Sequence, residues 1–381
     1  MTKSQIEKLQ LPKVRKFQGE VHLPGSKSIS NRALLLAAMS KGETILENLP
    51  ASDDVQVLLS QFPKLGIQFK KIESESKHQI IGIQGVAGSF QIDSGEFNVD
   101  NAGTALRPLV ALLSVGRGNF IIDGNDQMRR RPIGDLVEAI KSVGVNISCS
   151  DQGTPPVQIK TNGWQKNILQ ISAKSSSQFV SALLMAAPLT NKRIIIELYE
   201  SPVSKPYIDL TIQMMRQFGV IVENQNYTKY IIENNQSYTS PGRYFIEGDA
   251  TAATYFMTAG LLSGPVKIHG LDTSSIQGDI NYLDLIKKQG GQIRSGKNWI
   301  EIKSGSTIQG FTIDMNDMPD AAMTLAVSAL FANQPIEIQN VENLRVKESE
   351  RIKGLRIELE KLGAVVDEWA DGLRVHPPQK I

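Results

Sequence analysis

Cysteine is almost absent from this chain. Cys149 is the only one in 381 residues, so an intramolecular disulfide is impossible and zinc sites built from several thiolates are excluded. Histidine is nearly as scarce: His22, His78, His269 and His376 share no metal-ligand spacing, and structural or solvent roles are expected for all four. No G-x-S-x-G elbow occurs and no set of residues reads as a serine triad, so the expected chemistry uses neither metal nor cofactor. Charge of one sign is missing too. With 41 Lys and Arg against 39 Asp and Glu, the net charge of +2 is too small for a surface that coats nucleic acid, and no nucleic-acid partner is expected. No apolar run approaches the roughly 18 residues of a bilayer span, and the opening MTKSQIEKLQLPKVRKFQGE lacks the apolar core of a secretion signal. The expectation is a cytoplasmic protein with no membrane partner.

What the chain does have is repetition. A polar-started apolar helix, a strand, an amphipathic helix closing on Gly and two further strands recur five times. The closing glycines Gly66, Gly144, Gly219, Gly290 and Gly363 lie about 71 to 78 residues apart, far from any short solenoid period. The first helices read KSISNRALLLAAM (27–39), NAGTALRPLVALLS (101–114), SSSQFVSALLMAAPL (175–189), DATAATYFMTAGLL (249–262) and PDAAMTLAVSALF (319–331). All five are apolar nearly all round and are expected to be buried, whereas the second helices carry the one-sided pattern of surface cover, as in Val55, Leu58, Leu59, Phe62 and Leu65. The fold class is therefore α/β (α+β), and 41% hydrophobic content supplies a large core.

Three copies run consecutively over residues 25–247, and two follow after the turn-rich QSYTSPGRYFIEG (236–248), where a hinge is expected. The strand KFQGEVHL (16–23) is expected to pair with the later set, which makes the second domain discontinuous: residues 1–24 plus 248–381. Pro63 should bend or end the second helix of the first copy, and KKIESESKH (70–78) reads as a hairpin connection. A sixth copy would begin at VHPPQKI (375–381), so apolar faces of the two-copy domain are expected to be exposed.

The helix starts carry the functional signal: Lys27 and Ser28, then Asn101, Gly103 and Thr104, then Ser176, Ser177 and Gln178, with Asp249 and Asp320 later. A helix N-terminus exposes unpaired N–H groups and about half a positive charge, a seat for phosphate or carboxylate. Ser, Thr, Asn and Asp are also the ordinary N-caps, which explains any one of them without a ligand. Capping does not explain Lys27, whose charge opposes the positive helix end unless an anion meets it. SKS at 26–28 is not a P-loop, because Ser26 separates Gly25 from Lys27. In MRRRP (128–132) a solvated charge cluster is the ordinary reading, with Arg131, beside Pro132, the member expected to turn inward.

Seven blocks in order, LPGSKSISNRALLLAA (23–38), DNAGTALRPL (100–109), RRPIGDL (130–136), SSSQF (175–179), SKPYID (204–209), MPDAAM (318–323) and LRVKESERI (344–352), resemble the 5-enolpyruvylshikimate-3-phosphate synthase family. The resemblance runs from about residue 11 to the last residue. It implies an inside-out barrel of two domains, each of three βαβαββ copies, that closes on substrate and works as a monomer. The implied reaction is transfer of the enolpyruvyl group from phosphoenolpyruvate to the 5-hydroxyl of shikimate 3-phosphate, releasing phosphate.

By motif, the resemblance assigns Lys27, Ser28, Arg32, Ser176, Ser177, Gln178, Ser204, Tyr207, Asn343 and Lys347 to shikimate phosphate, and Lys27, Gly103, Arg131, Gln178 and Arg351 to phosphoenolpyruvate. Asp320 is implied to orient and deprotonate the 5-hydroxyl, and Glu348 to move the proton at the methylene carbon, with Lys27 assisting. Each carboxylate has a plainer explanation, Asp320 as an N-cap and Glu348 as the ion-pair partner of Arg351 one turn along. The family continues past Ile381 with a sixth copy that supplies a His-Arg pair and a Lys to phosphoenolpyruvate, so a shortened, non-catalytic binder of shikimate 3-phosphate is the alternative. The sister transferase acting on UDP-N-acetylglucosamine places a reactive Cys just before the Arg131 position. Residues 123–130 contain none.

Overall fold

The computed structural model describes residues 16–73, 79–305 and 307–380. Ten α-helices are present among them: α1 (Lys27–Met39), α2 (Asp53–Gln61), α3 (Gly103–Val115), α4 (Gly134–Ser142), α5 (Ser177–Ala186), α6 (Lys205–Gln217), α7 (Ala250–Ser263), α8 (Tyr282–Lys288), α9 (Ala322–Ser328) and α10 (Arg351–Lys361). The odd-numbered helices are the five apolar ones and the even-numbered helices the amphipathic ones. Leu34, Leu35, Leu36, Leu109, Val110, Leu183 and Leu184 are fully buried, each such side chain contributing about 1.5–3 kcal/mol by leaving water.

Among the described residues, five four-stranded sheets share one order. In each, a lead strand runs parallel to the strand that follows the apolar helix, and a hairpin completes the sheet. The lead strands of the first and fourth copies are exchanged. Gly19–His22 pairs with Val266–His269, as the sequence suggested, and Arg243–Phe245 returns to pair with Glu43–Leu49 of the first copy, a partnership that sequence reading missed. The two crossing segments lie side by side, bridged at Gly25 and Gly248, with Ser26 N–H donating to Glu247 O at 2.8 Å and Asp249 N–H to Pro24 O at 3.0 Å. A Cβ on Gly25 would stand 1.9 Å from Asn48 O, so the crossing requires glycine there.

Buried apolar residues form two clusters. The first gathers Ile29 through Ile246, and the second takes Leu23 together with Ala250 through Val375. The strand exchange accounts for the position of Leu23. In α7 and the 319–331 segment, Tyr255, Val327 and Phe331 are 53%, 42% and 45% exposed, unlike the apolar helices of the first cluster.

All five closing glycines have φ between 75° and 92°, the left-handed conformation that ends a helix at low cost only for glycine. Pro63 opens a short 3-10 turn, Pro63–Leu65, directly after α2. The third-copy helix stops at Ala186 and continues as a 3-10 turn. The expected helix over 101–114 begins instead at Gly103, because Asn98 Oδ1 accepts from Asp100 N–H at 2.9 Å and forms a turn ahead of it. Over 319–331 only Ala322–Ser328 is α-helix, with 3-10 turns on both sides. The expected hairpin connection over 70–78 is strand as far as Ile72; residues 74–78, His78 among them, lie outside the described residues. No described helix is long and apolar enough to cross a membrane.

Candidate active site

A cavity of about 490 Å³ is lined from both clusters. Its wall is made of helix starts: Lys27 and Ser28 of α1, Thr104 of α3, Ser176, Ser177 and Gln178 at α5, Ser204 and Tyr207 at α6, Asp249 and Thr251 at α7, Asp320 in the turn before α9, and Asn343, Lys347, Glu348 and Arg351 around the start of α10. Helix ends from all five copies thus aim partial positive charge at one space. Arg32 and Arg131 also line it. Asn101 and Gly103 lie just behind the wall. Asn101 Nδ2 donates to Gln127 Oε1 at 2.7 Å and its carbonyl accepts from Arg131 Nη1 at 3.1 Å.

The capping explanation holds for some starts and fails for others. Ser26 accepts from Ile29 N–H and Ser176 from Gln178 N–H. Asp249 caps its own helix through Ala252 N–H at 2.8 Å, while its other oxygen accepts from Lys27 N–H at 3.1 Å, tying the starts of α1 and α7 together. No side chain caps α3. Asp320 caps nothing: Tyr207 Oη donates to its Oδ2 at 3.0 Å and Arg351 Nη1 to its Oδ1 at 2.5 Å.

Of the three consecutive arginines, Arg129 and Arg130 are exposed and Arg131 is buried. Arg107, absent from the sequence-based site, is buried beside it, with Nε and Nη1 unpartnered and Nη2 donating to Pro132 O at 3.2 Å. Burial, aided by the nearby Arg131 charge, lowers the Arg107 guanidinium to about 9, and burial lowers Arg32 to about 10. Arg131 Nε too is unpartnered among the described residues, and two buried cations with spare donors at a cavity wall, Arg107 and Arg131, are favourable only when an anion meets them. A Cβ on Gly103 would lie 2.1 Å from Arg107 Nη1 and 2.7 Å from Arg131 Nη2. Gly103 therefore clears room for these two guanidinium groups. Arg107 sits one turn after Gly103 on the same helix face, an i, i+4 signal available within DNAGTALRPL. Asp54, 4.0 Å from Lys27 Nζ, had no such signal.

The carboxylates are ionised by their neighbours. Burial opposes charge on Glu348, but Arg131 at 3.9 Å and Arg351 at 2.6 Å outweigh it and hold the carboxyl down to about 2. Burial likewise opposes Asp320, and Lys347 at 3.7 Å, Arg351 and the Tyr207 hydroxyl hold it well below the usual carboxylate range. A carboxyl whose folded pKa is depressed stabilises the fold above its unfolded pKa and loses that contribution as pH falls through the folded one. Stability is thus expected to drop between about pH 4.5 and 2, and Glu348→Gln to flatten that part of a melting-temperature profile. An unchanged acid limb would contradict the ion-pair assignment.

Contacts from the two clusters meet across the cavity at Tyr207–Asp320, at Asn343 Nδ2 donating to Ser204 Oγ at 3.1 Å, and at Arg131–Glu348. Ser204 adopts φ 55°, a conformation uncommon outside glycine and frequent at functional sites. Cys149 and the described histidines lie outside the cavity wall; His22 stacks on His269 and His376 meets Asp367. Among the described residues no group of three His, Cys, Asp or Glu is arranged to hold a metal ion.

Residues 11–381 match the family model described as EPSP synthase (3-phosphoshikimate 1-carboxyvinyltransferase). The chain belongs to the EPSP synthase family. It is 43% identical over 374 residues to the 3-phosphoshikimate 1-carboxyvinyltransferase of Marinomonas sp. (strain MWYL1), covering 98% of this chain and 87% of the relative. The Haemophilus ducreyi 3-phosphoshikimate 1-carboxyvinyltransferase is 44% identical over 377 residues, covering 98% and 86%. In fold it is similar to the EPSP synthase of Acinetobacter baumannii, with a TM-score of 0.77 at 22% identity over 97% of this chain and 84% of that one. The two-domain α/β architecture is that of this family.

Proposed function

We propose that this chain transfers the enolpyruvyl group of phosphoenolpyruvate to the 5-hydroxyl of shikimate 3-phosphate, working as two domains, residues 25–247 and residues 1–24 with 248–381, that close over both substrates. The observation that carries the reading is the convergence of helix starts and cations from both clusters on a cavity that also holds two ionised carboxylates.

Two phosphates and a carboxylate need several charge-assisted hydrogen bonds, each about 1.5–3 kcal/mol. Lys27, Ser28, Arg32, Ser176, Ser177, Gln178, Ser204, Tyr207, Asn343 and Lys347 are assigned to shikimate 3-phosphate, and Lys27, Gly103, Arg131, Gln178 and Arg351 to phosphoenolpyruvate. Three cations of the site are paired with its own carboxylates: Arg351 with Asp320 and Glu348, Lys347 with Asp320, Arg131 with Glu348. Substrate anions compete for these cations. As Arg351 and Lys347 turn to the ligands, Asp320 and Glu348 lose the charges that depress them and become better proton acceptors.

The chemistry is an addition followed by an elimination. Once Arg131 and Arg351 turn to the ligands, Glu348 takes up a proton from solvent; the 5-hydroxyl oxygen then bonds to C2 of phosphoenolpyruvate as Asp320 takes the hydroxyl proton and Glu348 gives its own to the methylene carbon, with Lys27 assisting. Glu348 then recovers a proton from the new methyl group as the C2–O bond to phosphate breaks, and the proton held by Asp320 passes to the departing phosphate, leaving the enol ether, free phosphate and an ionised Asp320. Closure excludes water from the charged intermediate. The test is phosphate release on mixing both substrates, beside calorimetric titration with each alone. Release that requires both substrates supports the reading; binding of shikimate 3-phosphate without turnover rejects it in favour of a non-catalytic binder.

A further inference from the structure

Asp279 has no part in the site described above, yet it is the least comfortable acid near it. It sits in the short turn Gly278–Asn281, its side chain only 3% exposed. One carboxyl oxygen accepts from the Thr251 hydroxyl in the first turn of α7, and the other has no partner among the described residues. A buried carboxylate with an unpartnered oxygen is strongly disfavoured, whereas a carboxylic acid in the same place is not. The neighbouring charges do not rescue the ionised form. Asp249 at the α7 start and Asp320 in the turn before α9 are both negative, Tyr207 of α6 is a neutral phenol, and Lys347 is the cation that acts most on Asp279. Lys347 is itself 3.7 Å from Asp320.

The turn is also a contact between the two clusters. A Cβ on Gly278 would lie 2.3 Å from Pro206 Cβ, so the start of α6, which presents Ser204 and Tyr207 to the cavity, rests directly on it. The adjacent Gln277 accepts from Ala250 N–H at 3.1 Å and donates to Gly248 O at 2.8 Å. Asp279 thus lies where α6, α7 and the Asp320 turn meet.

We propose that Asp279 is a positioning residue: as an uncharged acid it braces the start of α7 and spares the Asp249 and Asp320 side of the cavity a third negative charge, where polyanionic substrates must dock. A neutral acid in an apolar, acid-rich site has precedent as a hydrogen-bonding group at pH 7. Burial first, then Asp320, pushes its carboxyl up to about 7. A raised folded pKa means the unfolded chain releases this proton more readily, so stability is lost as pH rises from the ordinary value near 3.8 and levels off above about 7.

The substrate part of the proposal rests on the functional reading above, so the test has one arm without substrate. Thermal melts of the full chain and of Asp279→Asn, from pH 4 to 9 without ligand, are expected to show a gap in favour of the variant that opens with pH and flattens above neutrality. A gap that stays constant with pH overturns the neutral-acid assignment. Calorimetry with shikimate 3-phosphate forms the other arm: between pH 6 and 8.5 the native chain is expected to lose severalfold more affinity than Asp279→Asn, whose amide cannot ionise. Parallel pH profiles overturn the positioning role. Asp279→Ala, which also lacks the charge, should share the flat profile even if it melts lower. If shikimate 3-phosphate binds none of the three proteins, the functional reading fails, and the ligand-free melts alone decide for or against the uncharged acid.

Discussion

Glu348→Gln or Asp320→Ala is expected to lower turnover at least about 100-fold while circular dichroism and gel filtration remain those of the native chain. Glutamine keeps the shape and can still bond Arg351, but it cannot carry a proton to the methylene carbon and back. Alanine at 320 removes the acceptor for the attacking hydroxyl and frees Lys347 and Arg351 to hold substrate anions. Binding of shikimate 3-phosphate should therefore survive in both variants while kcat falls. The stability cost is bounded because neither carboxylate belongs to an apolar core: Glu348 and Asp320 are 37% and 22% exposed. Near-normal turnover in both variants would remove the proton-transfer assignment, and loss of fold in Glu348→Gln would show its ion pairs to be primarily structural.

Gly103→Ala is expected to raise the apparent KM for phosphoenolpyruvate about 10- to 100-fold with a smaller change in affinity for shikimate 3-phosphate. The new methyl would overlap the guanidinium positions of Arg107 and Arg131. Backbone at the start of α3 is held by neighbours, so the side chains must give way, and the displaced Arg131 loses about one charge-assisted hydrogen bond of 1.5–3 kcal/mol to the ligand. Arg32, on α1, makes its bonds to Thr211 and Ser28 and is out of reach of that methyl. Equal losses for both substrates would mean that the methyl disturbs closure of the whole site rather than the position of one arginine.

The alternation of apolar and amphipathic helices was legible from periodicity, because a buried helix must be apolar all round and a covering helix only on one side. α1 occupies Lys27–Met39, as the KSISNRALLLAAM run indicates. Boundaries were less legible where a local side-chain bond competed with the helix, as at Asn98 before α3. Lys27 was legible as a charge at odds with its helix end, and Arg131 as the arginine beside a proline. Arg107 was legible only as the residue one turn after Gly103, a spacing that does not tell a buried cation from any other long side chain. Only packing against Gly103, Arg131 and Phe179 reveals a buried cation with donors to spare.

By itself the sequence determined the five-copy pattern, the α/β class and the family, because these depend on periodicity and motif order, which are properties of neighbours along the chain. Tertiary structure alone decided that Arg243–Phe245 completes the first copy's sheet, that Asp249 joins the starts of α1 and α7, and that Asp279 lies buried where α6, α7 and the Asp320 turn meet. Those facts arise from strand exchange between segments about 200 residues apart, and burial and charge pairing at such range depend on which surfaces meet, which no local pattern records.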